Sequence, residues 1–356
     1  MTPPAHPIPV ALIGYGYAGK TFHAPLIAAT PGLRLACIAS SQGPAVAADW
    51  PEARVVADPL AAIHAPDVEL VVIASPNDTH APLAAAALAT GKHVVVDKPF
   101  TVELGEARQL IRLAGRHGRL LSVFHNRRWD ADFLALRELL ADGRIGRPTE
   151  LESRFERFRP EVRQRWREQA VAGGGLWYDL GPHLVDQALQ LFGLPDGVAA
   201  RFAIQRDGAE TDDWAQVDLD YGRLQVTLRA SMLVAGGMPR FVAHGTAGSW
   251  VKYGLDCQED QLKAGLGPGA PDWGRDPQAP TLYAAAGPAT AAPLPRGDYP
   301  AYYAAIHTAL RDGGPNPVPP HQALAVMAVI DAARRSARSG RRTGLQLTAT
   351  ERAAWN

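Results

Sequence analysis

Asp179 and His183, four residues apart in Trp177-Tyr178-Asp179-Leu180-Gly181-Pro182-His183, carry the chain's clearest potential for proton transfer. On a helix that spacing places both side chains on one face. A carboxylate beside an imidazole favours the charged ring and fixes its orientation, as a general base requires. Lys98, in Val96-Asp97-Lys98-Pro99, adds an ammonium at the carboxyl end of a strand, where ligands bind in sheets of parallel strands. Each residue also has a plainer reading. Asp179 fits as the N-cap of a helix over 180–192, with Pro182 tolerated in its first turn and His183 paired with Asp186. Lys98 fits as a solvated lysine at a strand end. Metal binding by Asp179 and His183 lacks a third ligand in the sequence, so no metal is expected.

The second chemical signal is Gly14-Tyr15-Gly16-Tyr17-Ala18-Gly19, which follows the apolar run Val10-Ala11-Leu12-Ile13 and precedes a helical stretch. In that context the first Gly allows a tight turn, the second lets backbone amides approach a pyrophosphate, and the third packs helix against sheet. The phosphates then meet free N–H groups at a helix start. A dinucleotide cofactor is the expectation. The residue that reads the adenosine ribose falls about 20 positions further on, at Ala39-Ser40-Ser41-Gln42. No carboxylate stands there for NAD and no arginine for NADP. Ser40 and Ser41 can hydrogen-bond either cofactor, so the choice stays open.

These residues need a scaffold, and the apolar pattern supplies one. Residues 8–13, 33–39, 55–56, 69–74, 93–96 and 120–124 read as strands, alternating with helices over 19–29, 59–64, 82–90 and 104–115. That rhythm predicts a doubly wound parallel sheet, a Rossmann domain over residues 1–126. From 127 to 356 the pattern changes. Helices over 132–141 and 180–192 accompany strands over 149–158, 199–205, 215–220, 224–230 and 240–243, predicting an α/β domain with an open, mainly antiparallel sheet. Residues 264–297, rich in Gly, Ala and Pro, read as a long mobile loop. Helices over 299–311 and 321–339 follow and are expected to pack back on the first domain.

Composition narrows the partners. The 356 residues hold 36 basic and 36 acidic side chains, so no basic surplus points to nucleic acid. No apolar run approaches the ~20 residues that span a bilayer. Residues 1–7 lack the charged n-region of a signal peptide, and two cysteines, Cys37 and Cys257, build no disulfide framework. A cytoplasmic protein is expected, with Cys37 as a small buried thiol. The cluster Arg154, Arg157, Arg159, Arg163, Arg165 and Arg167, interleaved with glutamates, reads mostly as a salt-bridged face, with Arg159 and Arg163 also able to line a pocket. Trp166 and Trp177 read as core, and Gly173-Gly174-Gly175 as a flexible lip.

Three segments in order, Ala74-Ser75-Pro76-Asn77-Asp78-Thr79-His80, Val96-Asp97-Lys98-Pro99 and Trp177 to His183, resemble the Gfo/Idh/MocA family of oxidoreductases over essentially the whole chain. Phe124-His125-Asn126-Arg127-Arg128-Trp129, Phe158-Arg159-Pro160-Glu161-Val162-Arg163 and Tyr299-Pro300-Ala301-Tyr302-Tyr303 look most like its scyllo-inositol dehydrogenase branch. The resemblance implies an NAD(P)-dependent enzyme that interconverts a ring alcohol of a cyclitol or sugar and its ketone. It implies catalytic roles for Lys98, Asp179 and His183. Cofactor contacts are expected from Gly14, Gly16, Tyr17, Ala18, Gly19, Ser40, Ser41, Ser75, Pro76, Asn77, His80, Asp97, Lys98 and Asn126, and substrate contacts from Lys98, Asn126, Arg127, Arg159, Asp179 and His183. Asp97 replaces the family's commoner Glu, and the shorter carboxylate shifts local hydrogen bonds. A homodimer or homotetramer through the open sheet is implied. Rival readings are the same chemistry on an open sugar, dihydrodiol, imine or biliverdin, and a cofactor-binding sensor without catalysis.

Overall fold

The computed structural model describes residues 6–355; the segment 1–7, read above for a signal peptide, lies largely outside them. Short, nearly continuous apolar runs are stable as strands where both faces are covered. β1 (Ile8–Ile13), β2 (Leu33–Ala39), β3 (Arg54–Val56), β4 (Leu70–Ile73), β5 (His93–Val96) and β6 (Leu121–Val123) pair in parallel, in the order β3-β2-β1-β4-β5-β6, and all but the edge strand β3, exposed at Arg54, meet that condition. The sheet is the expected doubly wound one. α1 (Ala24–Ala29), α2 (Gly43–Asp49), α3 (Pro59–Ile63), α4 (His80–Ala89) and α5 (Leu104–His117) form the connections. The strand order reverses between β1 and β4, the place where such sheets bind ligands beyond their carboxyl ends.

Two local features differ from the sequence reading. The helix expected over 19–29 opens with a wider π-type turn, Gly19–His23, before α1 begins. α2 was not anticipated, because seven residues rich in small side chains present no clear apolar face.

The following part of the chain holds α6 (Ala131–Ala141), β7 (Pro148–Glu156), α7 (Leu176–Phe192), β8 (Gly197–Ala203), β9 (Trp214–Tyr221), β10 (Leu224–Ser231), β11 (Phe241–Gly245) and β12 (Gly248–Lys252). After α8 (Gln258–Lys263) come β13 (Thr281–Ala284) and β14 (Thr290–Ala291). The eight strands form one sheet, β14-β13-β12-β11-β7-β10-β9-β8. Every pairing is antiparallel except β7 with β10. Along β7, Leu151, Ser153 and Phe155 are buried while Glu150, Glu152 and Arg154 alternate outward; α7 packs on β7, β9 and β10. The stretch 264–297, expected as loop, supplies β13 and β14. These are short strands at the sheet's end, too brief for a period-2 pattern to register. The chain ends with α9 (Pro300–Arg311), α10 (Pro320–Ser339) and α11 (Ala349–Ala353).

Two compact units result. The first holds the described residues up to Asn126 with Gln258–Trp273 and Asp298–Leu324; the second holds Arg127–Cys257, Gly274–Gly297 and the chain from Ala325. Both cysteines are free thiols, Cys37 buried and Cys257 half-buried. Among the described residues, no helix is long and apolar enough to cross a membrane.

Candidate active site

In the first unit the glycine turn lies at the switch point between β1 and β4. Gly14 has φ +98°, and a Cβ there would come within 2.7 Å of the Ala74 carbonyl oxygen. At Gly19 a Cβ would fall 2.1 Å from the Gly14 oxygen, so this glycine lets the helix start press against the turn. Gly16 differs: a Cβ built on it meets no atom within 4 Å. Two glycines are thus required by packing, and the middle one leaves backbone accessible, as a pyrophosphate needs.

Tyr15 braces this turn. Its hydroxyl donates to Asp49 Oδ2 (2.8 Å) and accepts from Trp50 Nε1 (2.9 Å), while Lys20 Nζ reaches the same Asp49 oxygen (2.8 Å). Burial and the Asp49 carboxylate push the Tyr15 phenol up to about 12. Gln42 Nε2 donates to the Tyr15 carbonyl (3.1 Å), tying the ribose-reading segment to the turn. Ser40 is half-buried and its Oγ accepts from the Gln42 amide (3.0 Å); Ser41 is exposed. Tyr17 is exposed and donates to Glu259 Oε1 (2.5 Å), with half-buried Ala18 beside it.

At the end of β4, Ser75 Oγ and Thr79 Oγ1 share a hydrogen bond (2.6 Å), Pro76 is exposed and Asn77 is buried. The His80 ring is buried, with Nδ1 2.8 Å from the Pro99 oxygen and Nε2 3.1 Å from the Ser75 oxygen. It therefore joins the loops that follow β4 and β5. Lys98 is half-buried and joined to Pro99 by a cis peptide. Asp97 is buried, 3.7 Å from His23 Nε2. Asn126, also buried, begins a 3₁₀ turn, Asn126–Trp129.

The second unit holds the other candidates. α7 begins at Leu176, so Asp179 lies in its first turn and is not its cap; Pro182 lies inside the helix. The first amides are served from elsewhere, with Asp212 Oδ2 accepting from Trp177 N (2.7 Å). Asp179 Oδ1 is 3.5 Å from Arg167 Nε, whose guanidinium lies over the Trp166 ring. His183, one turn on, is buried, and its ring stacks near Phe155 with centroids 6.3 Å apart. The suggested His183–Asp186 pair is replaced: Asp186 takes both Nε and Nη2 of Arg128 (2.9 and 2.6 Å).

Arg127 is buried, pairs with Asp130 Oδ2 (3.3 Å) and lies 4.8 Å over the Phe155 ring. Arg157 and Arg240 approach the same ring at 4.9 and 5.7 Å. Phe155 thus gathers three cations beside His183 through the negative faces of its ring. Arg240, buried, also donates to Ser153 Oγ (2.7 Å) and Gln187 Oε1 (2.6 Å). Neither Phe155 nor Arg240 was singled out in the sequence, where each looks like ordinary strand composition.

Within the arginine cluster, Arg154 and Arg165 are ion-paired with interleaved glutamates. Arg154 holds Glu152 and Glu156, Arg165 holds Glu168, and Arg206 joins Glu168 to Asp213. Arg159 anchors through its backbone, donating to the Met232 oxygen (2.7 Å), and Arg163 is exposed. Trp177 is core, tilted against Phe202, and Gly175 with φ +99° admits the Asp212 carboxylate. Among the described residues no group of three or more His, Cys, Asp or Glu is arranged for a metal.

Comparison with known proteins gives consistent matches. Residues 8–125 match the Gfo/Idh/MocA profile described as "Oxidoreductase family, NAD-binding Rossmann fold", and residues 137–346 match its "C-terminal alpha/beta domain". The chain is 53% identical to the uncharacterized oxidoreductase YdgJ of Escherichia coli K12, covering 93% of this chain and 96% of that protein. It is 38% identical to the scyllo-inositol 2-dehydrogenase (NADP(+)) IolW of Bacillus subtilis 168, covering 94% and 95%. A crystal structure from Klebsiella pneumoniae superposes with a TM-score of 0.92 at 56% identity, covering 98% of both chains. That of yvaA from Bacillus subtilis gives 0.92 at 37%, covering 96% and 99%.

Proposed function

Because the chain belongs to the Gfo/Idh/MocA oxidoreductase family and carries its NAD-binding Rossmann domain, we propose that it interconverts a ring secondary alcohol of a cyclitol or sugar and its ketone, with scyllo-inositol the first choice. The observation that carries this reading is Asp179 and His183 one turn apart on α7, the histidine backed by Phe155. Imidazole in that setting accepts a hydroxyl proton, and a carboxylate one turn away favours the cation that results. Similarity to IolW, a scyllo-inositol 2-dehydrogenase, supports the choice of substrate.

In the proposed oxidation His183 removes the hydroxyl proton as the C–H bond breaks and the C=O bond forms. The Gly14–Gly19 turn would hold the NAD(P)+ dinucleotide, which would supply the hydride acceptor for that carbon. Asp179 orients His183 and stabilises its cation. Lys98 donates a hydrogen bond to the reacting oxygen, stabilising negative charge on it. Asn126, Arg127 and Arg159 supply polar contacts to the remaining hydroxyls. In the reverse direction His183 returns the proton. The protein is also inferred to self-associate through the outer face of its eight-stranded sheet.

Absorbance of the reduced nicotinamide, followed with scyllo-inositol, other inositols and sugars and with each dinucleotide, tests the substrate class. His183→Ala and Lys98→Ala are expected to lower kcat by about 10²–10⁴ while the fold and dinucleotide binding persist. Near-wild-type rates in both variants would overturn the assignment. Dinucleotide binding without turnover of any polyol would favour the sensor.

A further inference from the structure

Beneath the Lys98 loop, within the first unit, lies a buried polar chain that the proposed reaction does not use. His23, at the end of the π-type turn, is fully buried, and its Nδ1 is 2.6 Å from the Tyr303 hydroxyl. Its Nε2 faces Asp97 Oδ1 at 3.7 Å and has no hydrogen-bond partner among the described residues. The Phe124 ring lies 4.3 Å from the imidazole. Tyr303 is fully buried, and burial with the nearby Tyr302 and Asp97 pushes its phenol well above the ordinary value, so it stays a donor. One proton assignment then serves the whole chain: Tyr303 O–H donates to Nδ1, and the ring proton on Nε2 faces the Asp97 carboxylate.

A buried carboxylate is costly unless compensated. Burial raises the Asp97 pKa, but His23, then the charges of Lys98 and His80, outweigh it and hold the group down at about 2. Asp97 is also fixed through its backbone, donating N–H to the Ile73 oxygen at 2.8 Å. On the other side of Lys98, the Pro99 oxygen lies 2.8 Å from His80 Nδ1. Both neighbours of the lysine are thus restrained by buried histidines. We propose that the Tyr303–His23–Asp97 chain is a positioning device for Lys98, and that Asp97 acts from beneath the lysine as an inward-turned anion instead of touching the cofactor.

This inference rests on the role proposed for Lys98, and the experiment separates the two. Asp97→Asn keeps shape and removes charge; Tyr303→Phe removes one hydroxyl. Each is made in the wild type and in Lys98→Ala, and assayed with scyllo-inositol and the dinucleotide the wild type uses. Dinucleotide Kd is measured by fluorescence titration. Each variant is expected to lower wild-type kcat by about 10- to 100-fold, with Kd unchanged. Neither is expected to lower the residual rate of Lys98→Ala any further. Undiminished kcat in both overturns the proposal, as does an equal loss in the Lys98→Ala background, which marks a general structural role. A rise in Kd matching the loss in kcat makes Asp97 a cofactor contact and overturns it too. A wild-type rate in Lys98→Ala alone sinks the parent reading first. Should Asp97→Asn fail to fold, Tyr303→Phe carries the same test.

Discussion

A methyl group added at Gly16 and one added at Gly19 meet opposite surroundings, and the pair of substitutions separates binding from folding. Gly19→Ala drives Cβ to 2.1 Å from the Gly14 oxygen, so the turn and helix start must move apart, at about 1–3 kcal/mol. Its thermal midpoint is expected to fall. Gly16→Ala meets no atom within 4 Å, so its midpoint should hold while dinucleotide affinity drops, because the methyl occupies the approach to the pyrophosphate. Unchanged affinity in Gly16→Ala would remove the turn from the cofactor site. Asp97 gives a residue-scale prediction in pH. Its folded pKa of about 2 lies below the unfolded value near ~3.9. Its contribution to stability is therefore full above the unfolded value and is lost as pH falls through the folded one. The destabilisation caused by Asp97→Asn should shrink in denaturant titrations as pH is lowered across that window; a constant difference would show that the charge is not what matters. The spacing of the glycines was legible in the sequence because the turn is a local pattern, Gly19 pressing on Gly14 five residues before it. His23 and Tyr303, 280 positions apart, were not, because nothing local marks two residues that meet only in the fold.

At the scale of elements, α7 shows where local grammar fails. Read from the sequence, Asp179 makes a plausible cap and Pro182 marks a first turn. The helix instead starts at Leu176, and its cap arrives from Asp212, 35 residues downstream of the amide it serves. Gly175 makes room for that carboxylate, since a Cβ there would stand 2.2 Å from Asp212 Oδ1. Capping from a distant loop leaves no mark in the helix's own sequence, so both the start of α7 and the position of Asp179 in it were misread. Asp212→Ala is expected to cost about 1–2 kcal/mol, as for other caps. Asp212→Asn keeps an acceptor and should cost less. Burial raises the Asp212 pKa, ahead of the lowering by the Trp177 amide and Thr211. A group raised in this way favours the fold most below its unfolded pKa and loses that advantage as pH rises through the folded one. Asp212→Asn should therefore gain on the wild type as pH rises, in thermal melts across the acidic range. Equal losses in Ala and Asn at every pH would mean that the carboxylate does not cap α7.

For the whole molecule, the two sheets were legible because their patterns differ: unbroken apolar runs such as Leu70–Ile73 in one, alternation such as Leu151, Ser153 and Phe155 in the other. What escaped was the return of residues 258–273 to the first unit. Residues 258–273 and 298–324 belong to the first unit although they follow most of the second, and α10 spans the division. Pattern reports local shape, and return excursions of the chain are decided by contacts remote in sequence. The same alternation that buries Phe155 turns Glu152, Arg154 and Glu156 to the other face of β7, where Arg229 of β10 lies 4.0 Å from Glu156. Arg154 bridges Glu152 and Glu156 on that face. If this face joins copies of the chain, as we infer, charge pairing there sets the register of the contact, and reversing one charge should act on assembly while sparing the fold. Arg154→Glu places four carboxylates in a row along β7, at positions 150, 152, 154 and 156, so like charges meet wherever the two faces approach. Sedimentation of the wild type is expected to show a dimer or tetramer, weakened by added salt as screened charges require. Arg154→Glu should shift it toward monomer with its thermal melt still cooperative. A wild type that sediments as a monomer, or an oligomer indifferent to both salt and Arg154→Glu, would move the contact away from this face.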